Sequence, residues 1–202
     1  MRRRPMMLTE ETLVPEAALP VDSLKQHLRM GSGFGEDDLQ DAVLGSFLRA
    51  AIAAIEGRTA KALIARQFLQ IVQGWTRPDA QTFAIAPVRS VESVSLVDRF
   101  GAASPVAPSA YRLVRDAQAP TLRALATSLP AIPEGGAAEL RFVAGFAEAF
   151  DDLPPDLSQA VLMLAAHFYD HREDTGLAAG CMPFGVTSLL SRYRPMRMGF
   201  SA

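Results

Sequence analysis

The apolar residues of this chain change their spacing twice, and no single type of secondary structure accommodates both patterns. Leu39, Val43, Phe47 and Ile55, with Ala50, Ala51 and Ala54 between them, recur at helical intervals. From Gln67 to Ala144 the runs are short and alternating. The clearest is Val91–Val97, where Val91, Ser93, Ser95 and Val97 interleave with Glu92, Val94 and Leu96. Past Pro155 the helical spacing returns on two faces at once. Leu157, Val161, Leu164 and Phe168 form one, and Leu162, Ala165, Ala166 and Tyr169 the other. Helices, then strands, then helices predict an α+β chain.

The boundaries follow from caps and breakers. Residues 1–20 hold Pro5, Pro15 and Pro20 without periodicity and read as an extended arm. A short helix is expected over 21–30 with Leu24 and Leu28 on one face. Gly31, Gly33 and Gly35 then make a turn, and a long helix covers 36–56. Glu36, Asp37 and Asp38 suit its first turn, and Gly57 is the expected C-cap. Thr59 is read as capping a turn of helix over Ala60–Leu63. Strands are expected at Gln67–Trp75, Thr82–Ala86, Val91–Val97, Tyr111–Val114, Thr121–Leu125 and Ala138–Ala144. Pro87 ends the second and Asp98–Gly101 turns the chain after the third. Asp151, Asp152, Pro154 and Pro155 open a helix over 155–172, and a last helix lies near Val186–Arg192. The expected fold is predominantly helical: a small bundle with an inserted antiparallel sheet or hairpin, and extended N- and C-terminal arms. The arm at 1–20 precedes a central domain at 21–174, with a strand block at about 67–144, and a C-terminal helix and docking tail occupy 175–202.

Of the 202 residues, 49% are apolar, enough for a core, and the net charge of −2 favours neither nucleic acid nor a membrane surface. Cys181 is the only cysteine, so an intrachain disulfide is excluded and a reducing compartment is expected. Arg2, Arg3 and Arg4 are followed by no sustained apolar stretch, so no signal peptide is expected. The apolar run Leu157–Tyr169 is too short for a bilayer. A chain made in the bacterial cytoplasm, with no membrane contact, is the expectation.

Catalytic chemistry finds no footing. His167 and His171 are spaced i,i+4 beside Asp170 and Glu173, a zinc-like spacing without a third ligand; His27 is remote in sequence. Cys181 has Gly180, Met182 and Pro183 for neighbours, none of them a base. Asp151 and Asp152 suit helix capping. The glycines at 31, 33 and 35 lack the Lys-Ser pair of a phosphate loop, and no GxSxG elbow occurs. No catalytic residue, metal site or cofactor is expected. Two basic patches remain: Arg2–Arg4, and Arg192, Arg194 and Arg197 interleaved with Tyr193 and Phe200. The second fits a docking tail, since arginine and aromatic side chains anchor protein interfaces. Nucleic-acid contact and a solvated end are the other readings.

The order of these segments resembles the head–tail connector (adaptor) family of long-tailed phages and phage-derived gene transfer agents. It is carried by Val21–Arg29, Asp37–Leu39, Ala50–Glu56, Thr59–Leu63, the strand ending at Trp75, Ile85–Val91, Asp98–Gly101 and Tyr111–Leu113. Most specific are Glu139–Gly145, Leu153–Leu157 and Phe168–Glu173; Leu189–Arg194 also fits. The long N-terminal arm and His171 depart from the family pattern. The resemblance implies a non-catalytic subunit of a homo-oligomeric ring of twelve copies in the neck of a phage or gene transfer agent particle. Its neighbours would be the portal protein and a stopper or tail terminator protein, with DNA only passing through the lumen. Arg192, Tyr193, Arg194, Arg197 and Phe200 would meet the portal; Leu157, Val161, Leu164, Phe168 and Tyr169 would meet the next subunit. A stopper or tail-completion protein of the same neck is the alternative, and a DNA-binding protein or a metal enzyme built on His167 and His171 are more distant ones.

Overall fold

Strand pairing in this chain is long-range. In the computed structural model, which describes residues 6–29, 38–172 and 182–194, the chain divides into two compact units. One comprises the residues up to Leu13 together with Ala65–Phe146; the other comprises Val14–Ile64 and the chain from Ala147 onward.

Among the described residues the first unit contains eight strands: β1 (Met6–Glu10), β2 (Arg66–Val72), β3 (Ala80–Thr82), β4 (Val88–Val97), β5 (Ala103–Pro105), β6 (Tyr111–Val114), β7 (Thr121–Ala124) and β8 (Ala137–Ala144). They form a five-stranded sheet in the order β1-β2-β8-β4-β5 and a three-stranded sheet β3-β7-β6, every pairing antiparallel. β8 is central and takes β2 on one side, with Phe68 opposite Phe142, and β4 on the other, with Val94 opposite Leu140. Strict alternation puts Ala138, Leu140, Phe142 and Ala144 in the core with Phe68 and Val72. Phe142 lies 5.9 Å from Phe68 and 4.7 Å from Phe83, ring centre to ring centre. Gln70 is fully buried and both ends of its amide are used: Nε2 donates to Thr82 O at 3.0 Å, and Oε1 accepts from Ala84 N at 2.8 Å. A buried amide satisfied at both ends fixes the β3 segment without the cost of an unpaired polar group.

The fold is therefore not a predominantly helical bundle with a small inserted hairpin. About 36% is helical and 29% is strand. The expectation failed because most of the pairings join segments far apart in sequence, and two strands have no local pattern to announce them. β1 lies in the stretch read as an arm, with all five residues exposed, and β5 has three exposed residues ending in Pro105. The strand expected at Thr82–Ala86 ends at Thr82; beyond it Phe83 N bonds Pro120 O, and Ala84 N bonds Gln70. In β4 the pairing with β8 skips Arg89 and Glu92, two bulges that the alternation of Val91–Val97 does not reveal.

The second unit holds α1 (Val21–His27), α2 (Asp38–Thr59), α3 (Pro155–Asp170) and α4 (Phe184–Leu189). α3 packs against α1, α2 and α4. The core face of α2 is Leu44, Leu48, Ala51, Ile52 and Ile55, one residue round from the predicted stripe; Val43 is exposed and Phe47 half-buried. Both sets have helical spacing, so periodicity alone cannot choose between them. The helix also runs through Gly57. It ends where Ala60, at φ 54°, donates to Glu56 O, while Thr59 Oγ1 donates to Ile55 O. The buried Glu56 carboxylate accepts from Leu63 N at 2.7 Å, and Ala60–Leu63 is not helical. Ahead of α1, Val14, Ala18 and Leu19 are buried, and Arg49 Nη1 donates to Val14 O at 2.7 Å.

Two glycines give opposite expectations. A Cβ on Gly136, in the turn before β8, would stand 2.2 Å from Val97 O, so the backbone itself must move. One on Gly57, inside α2, meets nothing within 4 Å. Gly136→Ala should destabilise by about 2 kcal/mol or more, and Gly57→Ala should stabilise by up to about 1 kcal/mol. Urea-unfolding midpoints of the two variants check both signs.

Candidate assembly surface

The start of α3 and the end of the described chain are joined by one carboxylate. Pro154 and Pro155 set the extended-to-helical entry of α3, which leaves Asp156 in the first turn, a favourable place for negative charge. Arg192 Nε reaches Asp156 Oδ2 at 2.8 Å, and the Tyr193 hydroxyl donates to Asp156 Oδ1 at 2.8 Å. Arg192 Nη2 donates to the Tyr193 oxygen at 2.6 Å, and the guanidinium lies 4.8 Å from the Tyr193 ring centre. Tyr193 is 7% exposed, whereas the Arg192 side chain is 66% exposed. Burial is the main cause that raises the Tyr193 pKa above that of a free phenol; the hydrogen bond from Arg192 opposes it and the bond to Asp156 adds to it. The Arg192 pKa is raised chiefly by its hydrogen bond to Tyr193.

Of the residues assigned to partner docking, Arg192 and Tyr193 thus meet inside the chain, and Arg194 is exposed beside them. Arg197 and Phe200 lie outside the described residues, as do Arg2–Arg4, Gly31, Gly33, Gly35, Glu173 and Cys181. Of those assigned to the subunit interface, Leu157, Val161 and Leu164 are buried within the chain's own core. Phe168 and Tyr169 are half-buried, and Tyr169 meets Phe47 of α2 edge to face at 6.0 Å, with Arg172 stacked on its ring.

His167 and His171 stand with ring centres 4.3 Å apart, and His171 Nδ1 lies 2.9 Å from His167 O, so that nitrogen is engaged with the helix backbone. Among the described residues no group of three or more His, Cys, Asp and Glu side chains is arranged to hold a metal ion. No described helix is long and apolar enough to cross a membrane.

Several exposed groups escaped the sequence reading. Phe184 is 88% exposed at the start of α4, which is anchored by the fully buried Val186 and Leu190. Its place just ahead of that i,i+4 pair was the available signal. Met6, Met7 and Leu8 of β1, Phe100 and Leu125 are exposed too. A recess of about 530 Å³ is lined by Arg89, Tyr111, Arg112 and Arg115 among others, with Arg115 Nη2 donating to Arg89 O at 3.0 Å.

No established sequence-family profile matches the chain, and no curated protein does. Solved structures do. A chain in the neck of an empty gene transfer agent particle, computed with C6 symmetry, is 51% identical; the match covers 95% of this chain and 96% of that one, with a TM-score of 0.85. One in the virion of a native gene transfer agent particle is 50% identical over the same shares, with a TM-score of 0.83. One in the neck of a native particle, computed with C12 symmetry, is 48% identical over the same shares, with a TM-score of 0.81.

Tyr193→Phe removes the donor to Asp156 and should cost about 1 kcal/mol. The raised Tyr193 pKa stabilises the folded chain fully below the phenol's unfolded value of about 10, and this contribution is lost as pH rises through the folded value. The wild-type melting temperature should therefore fall more steeply above that pH than the variant's, as parallel thermal scans across the alkaline range would show.

Proposed function

We infer the role from one premise: the chain belongs to the family of neck proteins of gene transfer agent particles. On that premise we propose that it is the head–tail adaptor, a ring subunit that joins the portal to the rest of the neck. The observation that carries this is the near-complete coverage, at about half identity, of chains solved in necks under sixfold and twelvefold symmetry. Symmetry of that kind requires identical subunits meeting through two different surfaces. The ordered resemblance of residues 21–195 to adaptors favours this role over a stopper or tail-completion protein. Twelve copies is the proposed number, from the C12 relative.

The ring contact is assigned to α3 through the half-buried Phe168 and Tyr169, with Leu157, Val161 and Leu164 holding the helix from within. The portal contact is assigned to the chain from Arg192 onward, with Arg194, Arg197 and Phe200 as anchors. Asp156 fixes the point from which this segment departs. Aromatic rings and guanidinium groups are the types that carry interface energy.

Truncation after Arg194 keeps Leu190 and Tyr193 in place and should leave the fold intact. Negative-stain images are expected to show full-length chain capping isolated portal rings and the truncated chain failing to do so, with tailless heads accumulating in cells. Normal tail joining by the truncated chain overturns the portal assignment; a full-length chain that binds only the tail side favours the stopper.

A further inference from the structure

The two edges of the five-stranded sheet are unequally defended. At the β5 edge, Asp98 N bonds Ala102 O and Val106 N bonds Val94 O, so in the alternating ladder Ala103 and Pro105 turn their backbone groups outward. Pro105 has no N–H to offer, and the strand is only three residues long. A short edge carrying an outward proline resists pairing with another chain.

Among the described residues the β1 edge has no such guard. Glu11 N donates to Gln67 O at 3.0 Å, and the register continues through Thr9 opposite Leu69 and Met7 opposite Ile71. These are the hydrogen-bonded pairs, so the N–H and C=O groups of Met6, Leu8 and Glu10 face away from β2. The strand has no proline or lysine. Its one carboxylate, Glu10, is held by the buried Arg66 guanidinium at 2.7 and 3.2 Å. Met6 and Met7 are each 53% exposed and Leu8 37%. Met6, Leu8 and Glu10 extend the face on which Phe68, Gln70 and Val72 are buried, so the apolar layer of the sheet stops at an uncovered step.

We propose that the open edge of β1 takes up a strand of a second copy of this chain, extending the sheet across the subunit boundary. The inference rests on the adaptor reading: relatives at 48–51% identity are solved in necks computed with C6 and C12 symmetry, where identical copies are arranged about one axis. A head-to-tail contact needs a surface that is not its own complement, and an edge strand supplies backbone hydrogen bonds while Met6 and Leu8 supply apolar contact.

Hydrogen exchange of the full chain, free and in purified particles, tests it. The amides of Met6, Leu8 and Glu10 should exchange freely in the free chain and at least about tenfold more slowly in particles; Met7 and Thr9 should be slow in both. A photo-crosslinking residue at position 6 should give multiples of this chain. Unchanged exchange of the three outward amides in particles, or crosslinks only to a different protein, overturns the proposal and leaves the adaptor reading standing. Absence of the chain from purified particles overturns both. Leu8→Pro removes an outward N–H and no bond to β2, and should lower incorporation into particles; incorporation equal to wild type counts against the proposal.

Discussion

The strand-forming unit depends on the hydrogen-bonded ladder of β8. Ala138–Ala144 pair on both sides, with β2 and with β4, and among the described residues no other strand has two partners of that length. A strand flanked on both sides leaves no backbone group unpaired, which lets Leu140 and Phe142 sit fully buried. The stack of Phe68, Phe142 and Phe83 follows from that register, and the Gln70 amide attaches the β3 segment to the same framework. The β8 ladder begins just after Gly136, where the chain passes too close to Val97 O for a side chain.

The parts legible from sequence were those whose pattern is local. α3 was found from two apolar faces and the prolines ahead of it, and β8 from alternation after a glycine pair. What escaped was set by partners distant in the chain. β1 is a strand because β2 accepts it, with Arg66 of β2 clasping Glu10 and Arg141 of β8 clasping Glu11 just past the strand, contacts that span 56 and 130 residues. The balance of helix and strand was misjudged for that reason. The α2 stripe was displaced because Leu44 and Val43 satisfy the same period, and only α1 and α3 decide which side is covered.

The candidate site was partly legible too. Arg192 and Tyr193 were marked as an anchor pair by residue type, yet both are engaged with Asp156, a residue the sequence reading did not single out. The apolar surface of α3 was read as shared between copies, but Leu157, Val161 and Leu164 lie within this chain's own helical unit. A two-faced helix can satisfy both faces internally when three other helices pack on it. The exposed edge of β1 carried no compositional mark at all, since exposure of a backbone edge is not written in side chains.

The order in which the chain emerges from the ribosome now acquires a meaning. β1 is made before its partner β2, which is complete only at Val72, and before the stabilising β8, complete only at Ala144. At cellular elongation rates that delay is on the order of ten seconds. Throughout it, Met6, Met7 and Leu8 have no sheet to join, and the helical unit, interrupted by Ala65–Phe146, also waits for its second half. Nascent chains on neighbouring ribosomes of one message therefore carry unpaired β1 segments side by side, so the polysome is where premature strand exchange between copies must be avoided.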